Sequence, residues 1–194
     1  MRTVFVDVDT QFDFILPAGA LYAPGAETIL PRVAALNQFA AAEGIPLIST
    51  MDAQTEDDPE FREWHPHCVI GTISQSKPAS TLLDKRVIVP SRRAKFDLQG
   101  AQQIILEKQN VDMFTNENLD AILHELSAER FVVYGLVTDV CVRCGATGLL
   151  QRGKRVELVE DAVRAIDEQA AGTFLESFQA MGGVLTTAAA VMAA

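Results

Sequence analysis

Basic residues are scarce in this chain. Sixteen lysines and arginines stand against 26 aspartates and glutamates in 194 residues, a formal net charge of −10. That excess of negative charge repels phosphate backbones and anionic headgroups, so neither nucleic acid nor a membrane surface is expected as a partner. Long apolar runs are lacking too. The first run, residues 4–8, already contains Asp7, and none reaches the length of a membrane span or forms a leader with a basic flank. Only three cysteines are present, an odd number that suits a reducing cytoplasm better than a disulfide framework. Internal repeats and low-complexity linkers are absent. The expectation is a cytoplasmic protein with a single domain over residues 1–194 and a sizeable core.

What is present is an alternation. Short, nearly all-apolar runs predict strands at Thr3–Val8, Pro46–Met51, Val87–Pro90, Gln103–Leu106, Phe131–Leu136, Val156–Val159 and Val184–Thr186, with Glu160 and Asp161 closing the sixth. Helical spacing lies between them. Ile29, Val33, Leu36 and Ala40 share a face before Gly44; Leu119, Ile122, Leu123 and Leu126 follow a cap at Asn116; Phe174, Leu175, Phe178 and Met181 precede Gly182. Residues 10–26 and 53–80 read as loops, the second carrying Trp64, His65, His67 and Cys68. His124 falls on a helix surface, and residues 188–194 read as a frayed or partner-docked tail. Apolar strands alternating with helices imply a parallel sheet covered on both faces. Ligands of such sheets bind beyond the carboxyl ends of the strands. Asp9, Asp52, Lys108 and Cys141 all fall at or just past such ends.

The stretch from Val132 to Leu150 carries the chemistry. A strand ends near Gly135, Thr138 and Asp139 read as helix caps, and Cys141 follows in the first helical turn. The helix dipole there is expected to lower the thiol pKa, and free N–H groups near Val137 and Cys141 to hold an oxyanion. Strand, tight turn, nucleophile and helix is a recurrent way to present an attacking atom. A thiol needs a proton acceptor or a cation beside it. Asp9 can take the proton and Lys108 can stabilise the thiolate, while His65 and His67 are alternative bases. Attack on an amide carbonyl would give a thioester, with Asp9 protonating the leaving amine and then activating water. Three other arrangements compete. Cys141 and Cys144 form a C-x-x-C pair of the thiol-redox type. His65, His67, Cys68, Cys141 and Cys144 are donors of the kind a structural zinc takes. A binding protein without turnover is the third.

Four segments together resemble the isochorismatase-like cysteine hydrolases, in the branch of the nicotinamidase-related amidases: DTQFDF (9–14), WHPHCVIGT (64–72), EKQNVDMFTNENLDAIL (107–123) and GLVTDVCVRCGATGLL (135–150). The resemblance covers nearly the whole chain in the same order. It implies a three-layer α/β/α sandwich with a doubly wound, mainly parallel sheet of about six strands. It implies a catalytic triad of Asp9, rather than Asp7 or Asp13, with Lys108, rather than Lys95, and Cys141. It implies a cis peptide between Leu136 and Val137 that turns the Val137 N–H toward the oxyanion beside that of Cys141. Phe14 and Trp64 match aromatic positions that flank a planar substrate, while Phe12 replaces a small polar residue. Relatives that are nicotinamidases carry a metal beside the triad. Asp52 matches its acid and His67 its last histidine, but Gln54 stands where a histidine is expected, and the remaining position falls among Asp57, Asp58 and Glu60. No cofactor is required on this reading. A divalent ion such as zinc would rest on Asp52, Gln54, Glu60 and His67, a set less selective for zinc than one rich in imidazole. The implied activity is hydrolysis of a small amide, nicotinamide first and carbamoyl or ureido amides next; the vinyl-ether chemistry of isochorismate does not call for a thiol nucleophile. Family members often form dimers or larger assemblies, so a homo-oligomer is expected.

Overall fold

In the computed structural model, residues 2–193 are described, and they build one sheet of seven parallel strands. In chain order the strands are β1 (Thr3–Val8), β2 (Leu47–Asp52), β3 (Arg86–Val89), β4 (Gln103–Lys108), β5 (Arg130–Leu136), β6 (Arg155–Arg164) and β7 (Val184–Thr186). The spatial order is β3-β4-β2-β1-β5-β6-β7. The helices are α1 (Phe12–Ile15), α2 (Leu30–Ala42), α3 (Leu119–Leu126), α4 (Arg143–Gln151), α5 (Glu168–Ala180) and α6 (Ala188–Met192).

The layers follow from strand alternation. On β1, Val4, Val6 and Val8 join the core beneath α3, α4 and α5, which contribute Ile122, Leu149 and Phe178. Phe5 points the other way, to the core under α2 and α6, which contribute Val33, Leu36 and Val191. Both faces are therefore sealed, as near-continuous apolar strands require. Each fully buried aliphatic side chain such as Leu36 contributes roughly 1.5–3 kcal/mol by leaving water.

From β1 the chain passes to β2, then to the edge strand β3 and back to β4 between them, before crossing to the other side for β5, β6 and β7 in turn. Strand order therefore reverses between β1 and β5, and an open α/β sheet has its ligand crevice there, at the carboxyl ends. The two strands pass unusually close: a Cβ on Gly135 would sit 2.2 Å from the Val8 carbonyl oxygen, and Gly135 has φ +113°. Only glycine fits there.

All seven runs read as strands from the sequence pair in the sheet, the short edges β3 and β7 included, in agreement with an expected sheet of about six. Other sequence expectations need correction. Strand β6 does not stop at Glu160; a register shift against β5 absorbs the polar residues and pairing resumes at Val163. The loop after β1 contains the one-turn helix α1. Asn118, not Asn116, occupies the N-cap of α3, while the Asn116 side chain donates to the carbonyls of Pro90 and Glu107. The expected tail is helix α6 through Met192, with the Ala188 N–H donating to the Asp161 carboxylate at 2.8 Å and Val191 buried; Ala194 lies outside the described residues. His124 is exposed, as its helical position predicts.

Candidate active site

Four neighbouring strands, β4, β2, β1 and β5, deliver one polar group each to the same rim. Lys108 is the last residue of β4 and Asp52 the last of β2, directly paired in the ladder. Asp9 follows β1. Cys141 follows β5, across a cis peptide between Leu136 and Val137. The structure brings the three predicted triad side chains together: Lys108 Nζ lies 2.9 Å from Asp9 Oδ2 and donates to Cys141 Sγ at 3.7 Å. All three are at most 6% exposed.

The local sequence explains each placement. The turn after Gly135 leads into a π-helical turn, Thr138–Val142, that continues as α4. Such turns recur at functional sites. Thr138 and Asp139 do not cap it, contrary to expectation. The Asp139 carboxylate instead accepts from the N–H groups of Ile166 and Asp167 at 3.0 and 3.1 Å, pinning the loop before α5, and the buried Thr138 hydroxyl has no partner. Asp9 adopts φ +45°, a left-handed conformation uncommon for a non-glycine residue. Its N–H donates to Thr50 Oγ1 at 3.1 Å, and the Thr50 hydroxyl donates back to Asp9 Oδ1 at 2.6 Å. Asp9 Oδ2 has the Lys108 ammonium close by but off the hydrogen-bonding direction, and so remains under-satisfied.

Asp52, expected as the acid of a metal site beside His67, has two partners: one of its oxygens receives the Lys108 ammonium and the other lies 3.5 Å from His67 Nε2. His67 Nδ1 is anchored at 2.8 Å on the His65 carbonyl. His67 is therefore committed to Asp52 and does not serve Cys141 as a base, and His65 is exposed. The hint to the ion pair was Asp52 and Lys108 sitting at the ends of adjacent strands, but which strands are adjacent is a tertiary fact.

Burial and charge set the protonation of this cluster. Burial alone would lower the pKa of Lys108, but Asp52 and Asp9 hold it well above its ordinary value, so the ammonium persists. Burial raises Asp9 against the pull of Lys108. Burial would also raise Asp52, yet Lys108 and His67 hold it below the usual range. The His67 imidazole, which burial would lower, is raised by its bond to Asp52. Cys141 departs from expectation: burial pushes the thiol well up, outweighing Lys108, and the Asp9 and Asp52 carboxylates add to it.

A partly open cavity of about 20 Å³, space for roughly one water, lies over Cys141. Its walls include both predicted aromatics, Phe14 and Trp64, together with Val137, Val140 and Ile166, and its polar edge is Asp52, Glu60 and His67. Glu60 and Trp64 of the long loop, Val111 after β4 and Val140 of the π-helical turn also line an outer groove of about 690 Å³.

The expected ligand set stops short of a metal centre. Asp52 and His67 face one another, but Gln54 supplies an amide whose nitrogen donates to Glu60, with its oxygen buried and unpartnered. Burial raises the Glu60 pKa, which favours its neutral form. Among the described residues no three His, Cys, Asp or Glu side chains gather as a metal would need. The same observation removes the structural zinc site from His65, His67, Cys68, Cys141 and Cys144. Cys68 is buried with its N–H on the Asp13 carboxylate. Cys144 is half-buried beside Asp112 and Arg152 in a separate depression, and both it and Cys141 are free thiols. No helix is long and apolar enough to cross a membrane among the described residues.

Known proteins resemble this chain in sequence and in fold. Residues 3–190 match the family model described as the Isochorismatase domain. The chain is 24% identical over 157 residues to an N-carbamoylsarcosine amidase of Arthrobacter sp, covering 79% of this chain and 56% of that relative. It thus spans little more than half the length of that curated protein. Among solved structures it is similar to the pyrazinamidase of Pyrococcus horikoshii in complex with zinc, at 25% identity and TM-score 0.82 over 96% of this chain and 99% of that one. It is also similar to the N-carbamoylsarcosine amidase from Thermoplasma acidophilum, at 28% identity and TM-score 0.77 over 97% of both chains.

Proposed function

The chain belongs to the isochorismatase family, and from that premise we propose that it is a cysteine hydrolase that cleaves the C–N bond of a small, uncharged amide through a thioester on Cys141. The observation that carries this reading is the Lys108 ammonium held between Asp9 Oδ2 and Cys141 Sγ, with Cys141 itself lining a cavity walled by Phe14, Trp64 and Val137. The family resemblance to amide-hydrolysing relatives supports the reaction class.

The steps follow from the geometry. Asp9, whose raised pKa makes it a competent proton acceptor, takes the Cys141 proton, and Lys108 stabilises the thiolate. Sγ attacks the amide carbonyl. The oxyanion is received by the backbone N–H groups of Val137 and Cys141. Collapse breaks the C–N bond, and the amine leaves with the proton from Asp9. A water then gives its proton to Asp9 and attacks the thioester, releasing the acid and returning the proton to sulfur. Every proton that leaves a reactant passes through the one under-satisfied carboxylate oxygen.

The lining supports a neutral substrate. Asp9, Asp52 and Glu60 surround the reacting centre, while the cations present, Lys108 and His67, are already paired. A carboxylate-bearing carbamoyl amino acid would be desolvated there without a partner. Phe14 and Trp64 suit a planar ring, so nicotinamide is the leading substrate and neutral carbamoyl or ureido amides come next. No step passes through a metal, because the donor set is an amide, a tied carboxyl and a single Asp–His pair. Ammonia release from nicotinamide tests the reading. Activity that disappears in Cys141→Ala and falls about 10²–10⁴-fold in Asp9→Asn supports it. Undiminished turnover in either variant refutes it.

A further inference from the structure

A second buried ammonium–carboxylate pair lies two residues upstream of Asp9, and the steps above leave it unused. Lys77 Nζ is 3.4 Å from Asp7 Oδ2, with side chains 1% and 0% exposed. The same carboxylate accepts from Thr10 Oγ1 at 2.7 Å, Ser49 Oγ at 3.1 Å and Asn37 Nδ2 at 3.3 Å. Lys77 also donates to Thr10 Oγ1 at 3.0 Å. The Thr10 hydroxyl is therefore a link, accepting from Lys77 and donating to Asp7. Apolar packing could fill this space without desolvating two charges, so the pair is not explained by stability alone.

Its position gives it a task. Asp9 sits in the left-handed region at φ +45°, and such a conformation persists only where its surroundings over-determine it. On one side its N–H is held by Thr50 Oγ1. On the other, the side chain of the next residue is gripped by Asp7 from β1 and by Lys77 from the end of the loop that carries Trp64 and His67. We infer that Thr10, clamped between Asp7 and Lys77, is a positioning residue that holds the Asp9 carboxylate against Lys108 and Cys141. This rests on the reading of Asp9 as the proton carrier. Without the clamp the turn relaxes and the carboxylate drifts from sulfur, and a misplacement of about 1 Å costs on the order of 100-fold in rate.

The test uses the full-length protein and the rate at which iodoacetamide labels Cys141, followed by mass spectrometry of its peptide at neutral pH, beside kcat and KM for ammonia release from nicotinamide. Thr10→Val keeps the shape and the Asp7–Lys77 pair but removes the hydroxyl. It should lower kcat by about tenfold or more with KM within about twofold, and speed labelling, because the carboxylate that helps push the thiol up has moved away, while Thr10→Ser stays within about twofold of the parent throughout. Lys77→Met should follow Thr10→Val. If Thr10→Val does not fold, the charge-balanced variant Asp7→Asn/Lys77→Met carries the same expectation. Parent-like kcat and labelling in Thr10→Val, or an equal change in Thr10→Val and Thr10→Ser, overturns the clamp. Asp9→Asn separates the two readings: lost kcat with fast labelling there, beside parent-like kcat and labelling in Thr10→Val, sinks the clamp alone, whereas parent-like kcat in Asp9→Asn sinks the assignment of Asp9.

Discussion

Two lysine–aspartate pairs lie at the carboxyl end of β1, both buried and only two residues apart along the chain, and they are wired differently. Asp7 accepts from Thr10, Ser49, Asn37 and Lys77, so both its oxygens are satisfied. Asp9 has a good bond only at Oδ1, from Thr50; its other oxygen faces Lys108 off-axis beside the Cys141 thiol. Residue types and burial match, so neither identifies the working carboxylate. Satisfaction does: a saturated carboxylate is scaffold, and an under-satisfied one beside a cavity has capacity left for a proton.

The contrast can be broken most sharply at the two lysines. Lys108→Met should cut amide turnover by about 10³-fold or more and lower the denaturant midpoint as well, because it strands the buried Asp9 and Asp52 carboxylates, although Asp9, already raised, can take up a proton in part compensation. Lys77→Met should cut turnover by only about tenfold while lowering stability in a urea titration by about 3–5 kcal/mol, since it strands the Asp7 carboxylate; Asp7→Asn/Lys77→Met should recover most of that stability loss in the same titration. A Lys108 variant that loses stability but keeps turnover would erase the distinction.

A surface-facing pair sets the scale for both. Arg130 makes a two-pronged contact with Glu157, and that bond, with lesser Coulombic help from Arg130 and Arg155, holds the Glu157 pKa below the usual carboxylate value. A depressed carboxylate contributes stability that is present above its unfolded pKa and is lost as pH falls through its folded one. Glu157→Gln should therefore cost about 0.5–1 kcal/mol near neutral pH after screening, and the difference should vanish in acid-range unfolding curves. Smallest of all is the effect of a chelator. Dialysis against EDTA should leave turnover within about twofold, given an amide and a tied carboxyl where a zinc centre needs imidazole or thiolate.

Much of the site was legible because residues at strand ends are legible. The apolar runs identify β1, β2, β4 and β5, and the groups that close them, Asp9, Asp52, Lys108 and Cys141, are visible as polar residues where apolar patterning stops. The C-terminal alanines misled, since a run of alanine reads as tail until a partner carboxylate, here Asp161, supplies its N-terminal hydrogen bond. Thr138 and Asp139 misled for a related reason: a cap residue is recognised by type, but Asp139 spends its oxygens on a loop 27 residues away.

By itself the sequence determined the periodicities, and through them a parallel sheet sealed on both faces with its polar groups gathered at one rim. Tertiary structure alone decided the order of strands, and hence that Lys108 faces both Asp9 and Asp52, that Asp52 is shared with His67, and that burial pushes the Cys141 thiol up. The physical reason is that periodicity is a property of neighbours along the chain, whereas a proton's position depends on charges and burial contributed by segments dozens of residues apart.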